Sequence, residues 1–287
     1  MRDTLKLLYG TFKLRIGFAI MLTALAGAAI APGAVQVWPL ALVALAVLLA
    51  SSSAGAFNQL AERDLDRRML RTRSRPFASG RFRASPAWLA FIVLLTLVPV
   101  IGVAVYANPL AAALVFLGAF FYGVVYTLWL KRTTVWNIVI GGLSGSFAVL
   151  AGAATVTPEL GLQAILLALV LFLWTPPHFW SLAIVYRDDY ARAQVPMLPV
   201  VVGNAIAAKI ICAHTLALAL LALVPACYGM GFIYLICAAA GGILFTYTSL
   251  RLVATPDVAH ARLNFRASLV QLSLLLLGTI ADAWIIG

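Results

Sequence analysis

Apolar stretches of about twenty residues, each long enough to cross the hydrocarbon core of a bilayer as a helix, recur from one end of this 287-residue chain to the other. In lipid a backbone must satisfy its own N–H and C=O groups, so such a chain is restricted to a bundle of helices. The runs cover residues 16–34, 37–57, 87–106, 110–130, 136–155, 162–184, 204–226, 231–250 and 267–286. The expected fold class is therefore all-α, a polytopic membrane protein of about nine transmembrane helices in a single domain, 1–287. Hydrophobic residues make up 64% of the chain and charged residues 10%, a balance that excludes a soluble enzyme. The first run is longer than a signal core, which favours a retained span over cleavage between Ala26 and Ala31.

Lysine and arginine number 20 against nine acids, and on the nine-span reading all 20 fall on one side. Arg2, Lys6, Lys13 and Arg15 precede or open the first span, eight arginines from Arg63 to Arg83 follow the second, and the rest lie in later loops of the same side. The opposite loops, around Pro32, Asn108, Pro158 and Tyr228, and the carboxyl terminus carry none. Cytoplasmic loops retain Lys and Arg, so the expected placement has the amino terminus and the two long loops on the cytoplasmic side of the membrane and the carboxyl terminus outside. A basic face suits anionic headgroups or an anionic substrate, and with no nucleic-acid motif beside it no nucleic-acid partner is expected. Cys212, Cys227 and Cys237 lack paired spacing and read as packing residues. The tryptophans cluster near span ends, where they anchor to the interface.

Asn58, Glu62 and Asp66 follow the second apolar run at i, i+4 and i+8, which aims an amide and two carboxylates at one point from a single helix face. Oxygen donors of this kind suit a hard cation such as magnesium. The dense arginine stretch that follows suits phosphate, and Arg71, Arg73 and Arg75 stand just before the helix-breaking Pro76. The same arginines also fit a plain membrane anchor. Asp64 falls about 160° away on an ideal helix and serves a second ion, an arginine or neither.

A second segment, Trp174-Thr-Pro-Pro-His178-Phe-Trp180 followed by Asp188 and Asp189, closes the sixth span. Four crossings separate the two segments, so both emerge on the same face. Two prolines inside an apolar span are expected to break its backbone hydrogen bonds. His178 lies ten residues before Asp188, about 15 Å along a continuous helix and thus inside the membrane. A polar side chain within a span is costly, so its imidazole is either functional or a hydrogen-bonding group that repairs the proline break. His214 and His260 lack a comparable motif.

The asparagine with spaced acids, the second acidic segment and the nine helices together resemble the UbiA family of membrane prenyltransferases. The runs MLRTRSRP (69–76), LKRTTVWNIVIGG (130–142), TPPHFW (175–180) and DDYARAQVPMLPVVVG (188–203) resemble its heme O synthase branch, the protoheme IX farnesyltransferases. The resemblance implies a ring of helices around a central cavity, with the cytoplasmic loops 58–86 and 186–202 as the cap of the active site. It further implies transfer of a farnesyl group from farnesyl diphosphate to a vinyl group of heme B, giving heme O. Magnesium would be held by Asn58, Glu62, Asp66, Asp188 and Asp189, with Asp64 as an optional ligand. Diphosphate would be held by Arg71, Arg73, Arg75, Lys131 and Arg132, and heme by His178. Implied surroundings are the lipid bilayer and hand-over to a heme A synthase or terminal oxidase assembly. Glu62 stands where many members have aspartate, Leu14 replaces the proline of a KPR motif, and residues 144–151 lack the usual Pro-Pro. The last departure leaves open another aromatic or tetrapyrrole acceptor, and a non-catalytic heme-binding or transport protein is the alternative of a different class.

Overall fold

The computed structural model describes residues 2–286 and the side chains of residues 4–285. The Arg2 side chain, counted above among the basic groups, lies outside the described residues. Every regular element among them is helical: α1 (Arg2–Thr11), α2 (Leu14–Ala29), α3 (Val37–Ala61), α4 (Arg63–Arg68), α5 (Pro86–Tyr106) and α6 (Pro109–Phe120). The chain of α6 continues as a π-helix (Phe121–Leu130) into the single turn α7 (Lys131–Thr133). There follow α8 (Asn137–Gly141), α9 (Leu143–Val156), α10 (Leu162–Val185), α11 (Arg187–Arg192), α12 (Leu198–Leu221), α13 (Phe232–Ala254) and α14 (Val258–Ile286).

Eight spans among the described residues are long and apolar enough to cross a bilayer, and nine if α1 and α2, bent by 44° at their junction, form one. The chain is an integral membrane protein. Starts are set by local chemistry: Ser85 Oγ accepts from the Trp88 N–H ahead of Pro86, and Asn108 Oδ1 accepts from Leu110 and Ala111 ahead of Pro109. The last helix begins at Val258 rather than near residue 267. Asn264, Ser268 and Gln271 lower the hydropathy of this stretch, yet all three are fully buried against neighbouring helices.

α10 also departs from expectation, because it runs unbroken through Pro176 and Pro177. The missing N–H groups leave the carbonyls of Phe172 and Leu173 without helical donors, but flanking helices α9, α12 and α14 hold the segment in register.

The long helices pack in chain order, α2 on α3, then α5, α6, α9, α10, α12 and α13, and α14 returns to α2, which closes a ring. α2 and α9 meet across it at backbone distance: a Cβ on Gly152 would stand 1.8 Å from the Ala24 carbonyl oxygen, and one on Gly27 2.0 Å from that of Val149. Small residues permit this approach. Gly145, by contrast, has open space at its Cβ. Trp38, Trp129, Trp136 and Trp284 are exposed near helix ends, as anchors would be, whereas Trp174 and Trp180 are buried. Of the cysteines only Cys212 is buried, and Cys227 is exposed.

Candidate functional site

Asn58, Glu62 and Asp66 lie on one continuous face although α3 formally ends at Ala61. Glu62 turns off the helical conformation, yet its N–H still reaches the Asn58 carbonyl and its own carbonyl accepts from Asp66, so the i+4 stacking survives the bend. The three side chains are 3%, 0% and 2% exposed. Polar groups buried so completely need partners.

Each finds a cation. Lys13 Nζ donates to Asn58 Oδ1 at 2.9 Å, Lys131 Nζ to Glu62 Oε2 at 2.5 Å, and Arg75 Nη1 to both Asp66 oxygens at 2.9 and 3.0 Å. Asn58 Nδ2 donates to Thr127 Oγ1, which fixes the amide so that its oxygen faces Lys13. The second oxygen of Glu62, Oε1, is buried without a hydrogen bond.

Two features deliver these cations. Lys13 sits in the break between α1 and α2 at φ 48°, a left-handed conformation that costs a non-glycine residue about 1 kcal/mol or more. Phe12 packs on Trp88 and Phe91 beside it, and Gln59 Nε2 donates to the Gly10 and Thr11 carbonyls at the end of α1. On the other side the π-helix sets residues five apart on one face. Tyr122 with Thr127 meets Lys13 and Asn58, and Tyr126 with Lys131 meets Glu62.

The other candidates are distributed around this centre. Asp64 points away and takes a forked, exposed ion pair from Arg132, whose guanidinium holds the carboxyl below its usual range. Asp189 is buried and accepts from the backbone N–H groups of Leu70 and Arg71 and from Arg192. Burial disfavours its charge, but these donors outweigh that and hold the carboxyl below its usual range. Arg71 lies over the Tyr186 ring, so loops 58–86 and 186–202 are fastened together twice. Arg73 and Asp188 are exposed and form no ion pair among the described residues. The first loop docks through Phe77, whose ring meets Phe82 and Trp88.

His178 is buried between α10 and α14, stacked on Trp174 at 4.2 Å and on Phe265 at 4.6 Å between ring centres. Its Nδ1 lies 2.6 Å from Ser268 Oγ, and that hydroxyl donates its only hydrogen to the Phe265 carbonyl. This contact pins Nδ1 to the Ser268 hydroxyl, and Nε2 makes no hydrogen bond among the described residues. The bond crosslinks two helices and does not repair the proline positions.

An amide oxygen and two carboxylates on a buried face, with Glu62 Oε1 unspent, fit a hard divalent cation. Among the described residues, however, no three acidic, histidine or cysteine side chains already stand together as a metal cluster. Lys13, Tyr122, Tyr126 and Thr127 were not among the candidates drawn from the sequence. For Lys13 the available signal was its place just before the altered KPR position.

The profile of the UbiA prenyltransferase family matches residues 20–272. The chain is 54% identical to protoheme IX farnesyltransferase 2 of Paramagnetospirillum magneticum over the whole of both chains. It is 44% identical to the protoheme IX farnesyltransferase of Gloeobacter violaceus over 93% of this chain and 88% of that one. Among solved structures, a UbiA homologue from Archaeoglobus fulgidus bound to DMAPP and Mg2+ superposes with a TM-score of 0.78 at 14% identity, covering 97% of this chain and 99% of that one. A structure described for digeranylgeranylglyceryl phosphate synthase gives a TM-score of 0.78 at 18% identity over 98% and 99%. The two structures establish the shared fold alone. With the family profile spanning most of its length and a relative aligned end to end, the chain belongs to the UbiA prenyltransferase family.

Proposed function

We propose that the chain transfers a farnesyl group from farnesyl diphosphate to a vinyl group of heme B. The observation that carries this is the pairing of a buried amide-carboxylate face with a buried histidine anchored by Ser268 in a chain 54% identical, end to end, to a protoheme IX farnesyltransferase. Asn58, Glu62 and Asp66 hold the metal end of the donor, and a divalent cation bound there supplies charge neutralisation for the departing diphosphate. Lys131, Arg75 and Lys13 surround the same point and, with Arg71 from the cap, stabilise the leaving group where water is scarce. Arg73, Arg132, Asp64 and Asp188 serve at the rim, and Asp189 holds the two loops together as the cap.

At the acceptor end His178 offers Nε2 to heme iron while Ser268 fixes its ring. The farnesyl C1–O bond breaks as the vinyl carbon bonds to C1. Water adds its hydroxyl to the remaining vinyl carbon, and its proton leaves with diphosphate. The loops then lie on the cytoplasmic side of the inner membrane, with the carboxyl terminus outside, and product passes on within the bilayer to a heme-modifying or oxidase-assembly partner.

Purified protein incubated with Mg2+, farnesyl diphosphate and heme B is expected to give a heme heavier by one farnesyl group and one hydroxyl in mass spectrometry. Asp66→Ala is expected to lose this turnover while still binding heme. An unmodified heme from the parent protein rejects the proposal, and turnover by Asp66→Ala removes Asp66 from the site.

A further inference from the structure

All three oxygen donors of the candidate metal seat are closed by cations of the chain itself, and each cation comes from a different element. Lys13 from the α1–α2 break covers Asn58, Lys131 from the end of the π-helix covers Glu62, and Arg75 from the first loop covers Asp66. Three donors face three cations in a region where Asn58, Glu62 and Asp66 are almost entirely out of solvent. A divalent ion entering alone must displace these cations and then stand beside them. Like charges a few ångströms apart repel strongly where the dielectric is low, and a buried cation that has lost its partner is left uncompensated. An incoming anion removes both penalties, because a diphosphate offers the displaced ammonium and guanidinium groups new oxygen partners. Glu62 Oε1, buried and without a hydrogen bond, is the one seat atom free to make first contact.

We infer that Lys13, Lys131 and Arg75 are the resting occupants of the seat and that they exchange as a set, so the protein accepts metal and diphosphate together and refuses the metal alone. This rests on the prenyl diphosphate reading above and adds to it a binding order and a positioning role for Lys13 and Lys131. The cations hold Asn58, Glu62 and Asp66 in place before substrate arrives and then pass to the leaving group. Because coupling is reciprocal, each ligand tightens the other by the same factor.

The test uses the full chain in detergent, with Mn2+ as the metal probe and radiolabelled inorganic pyrophosphate as the anion probe. Free Mn2+ is followed by electron paramagnetic resonance and pyrophosphate by retention on the immobilised protein. The parent protein is expected to bind Mn2+ weakly by itself and to retain pyrophosphate only when Mn2+ is present. Lys131→Met is expected to bind Mn2+ alone about tenfold more tightly, because the competing cation is gone, while retaining less Mn2+-pyrophosphate. These opposite shifts distinguish exchange from a purely structural role, which weakens both, and from a simple diphosphate ligand, which leaves Mn2+ affinity unchanged. Lys13→Met is the second variant should Lys131→Met fail to show a cooperative melt, and the same opposite shifts are expected of it. Mn2+ affinity unchanged or lowered in a folded variant overturns the exchange, and so does tight binding of Mn2+ alone by the parent. If farnesyl transfer nevertheless proceeds, the function stands without it. Failure of the parent to retain pyrophosphate under any Mn2+ concentration rejects the diphosphate reading itself.

Discussion

Ser268 Oγ lies 2.6 Å from His178 Nδ1, so a single hydroxyl orients the ring and leaves Nε2 without a partner among the described residues. Replacing His178 by alanine is expected to abolish the absorption shift of added heme while leaving Mn2+-dependent pyrophosphate retention intact. An unchanged heme spectrum rules His178 out as the ligand. Ser268→Ala removes the hydroxyl that orients the ring and is expected to weaken heme binding by about 10- to 100-fold, the usual range for such supporting partners. A different buried group acts on stability alone. Asp282, near the end of α14, accepts from the N–H groups of Gly231, Ile233 and Tyr234 at the start of α13, four donors of which have no helical partner. Asp282→Ala is expected to lower stability by about 1–3 kcal/mol, read as a lower melting temperature in detergent with farnesyl transfer per folded molecule unchanged. No other charged residue stands near Asp282 in the sequence, and its partners are backbone groups that no side-chain pattern reveals.

Elements place these residues, and their irregularities matter more than their regular parts. The i+4 spacing of Asn58, Glu62 and Asp66 was readable because it follows the ordinary helical period, and the bend at Glu62 preserves the i to i+4 hydrogen bonds. Tyr122, Tyr126 and Thr127 were not readable, because the i to i+5 hydrogen bonding of the π-helix departs from the ordinary helical period. Lys13 depends on a left-handed residue in a helix break, which composition does not mark. The contact of α2 with α9 sets the spacing of the ring, and Gly152→Ala forces a Cβ into the Ala24 carbonyl. The expected cost is about 3 kcal/mol or more, seen as a large drop in melting temperature, and a melt within a degree of the parent shows that the helices separate freely.

At the scale of the molecule, charge segregation is the strongest constraint on how the protein sits. Counted along the nine spans, the loops and helix ends that hold lysine and arginine fall on the side that carries the two loops, Lys209 lies within α12, and the exposed Cys227 lies in the turn between α12 and α13 on the other side. In intact bacterial cells a membrane-impermeant maleimide is expected to label Cys227 from outside, whereas a cysteine introduced at Ser79 is expected to react only after permeabilisation. The reverse pattern inverts the orientation. The sequence by itself determined that the chain is a helical membrane bundle, since apolar length and backbone satisfaction in lipid allow nothing else. It also determined which acids share a face, since helical period is a local property. Only the tertiary structure decided that Lys13, Lys131 and Arg75 close that face, that Asp189 binds one loop to the other, and that Ser268 anchors the ring of His178. These pairings join residues from separate helices, and the distance between such residues is fixed by packing of the whole ring rather than by their spacing along the chain.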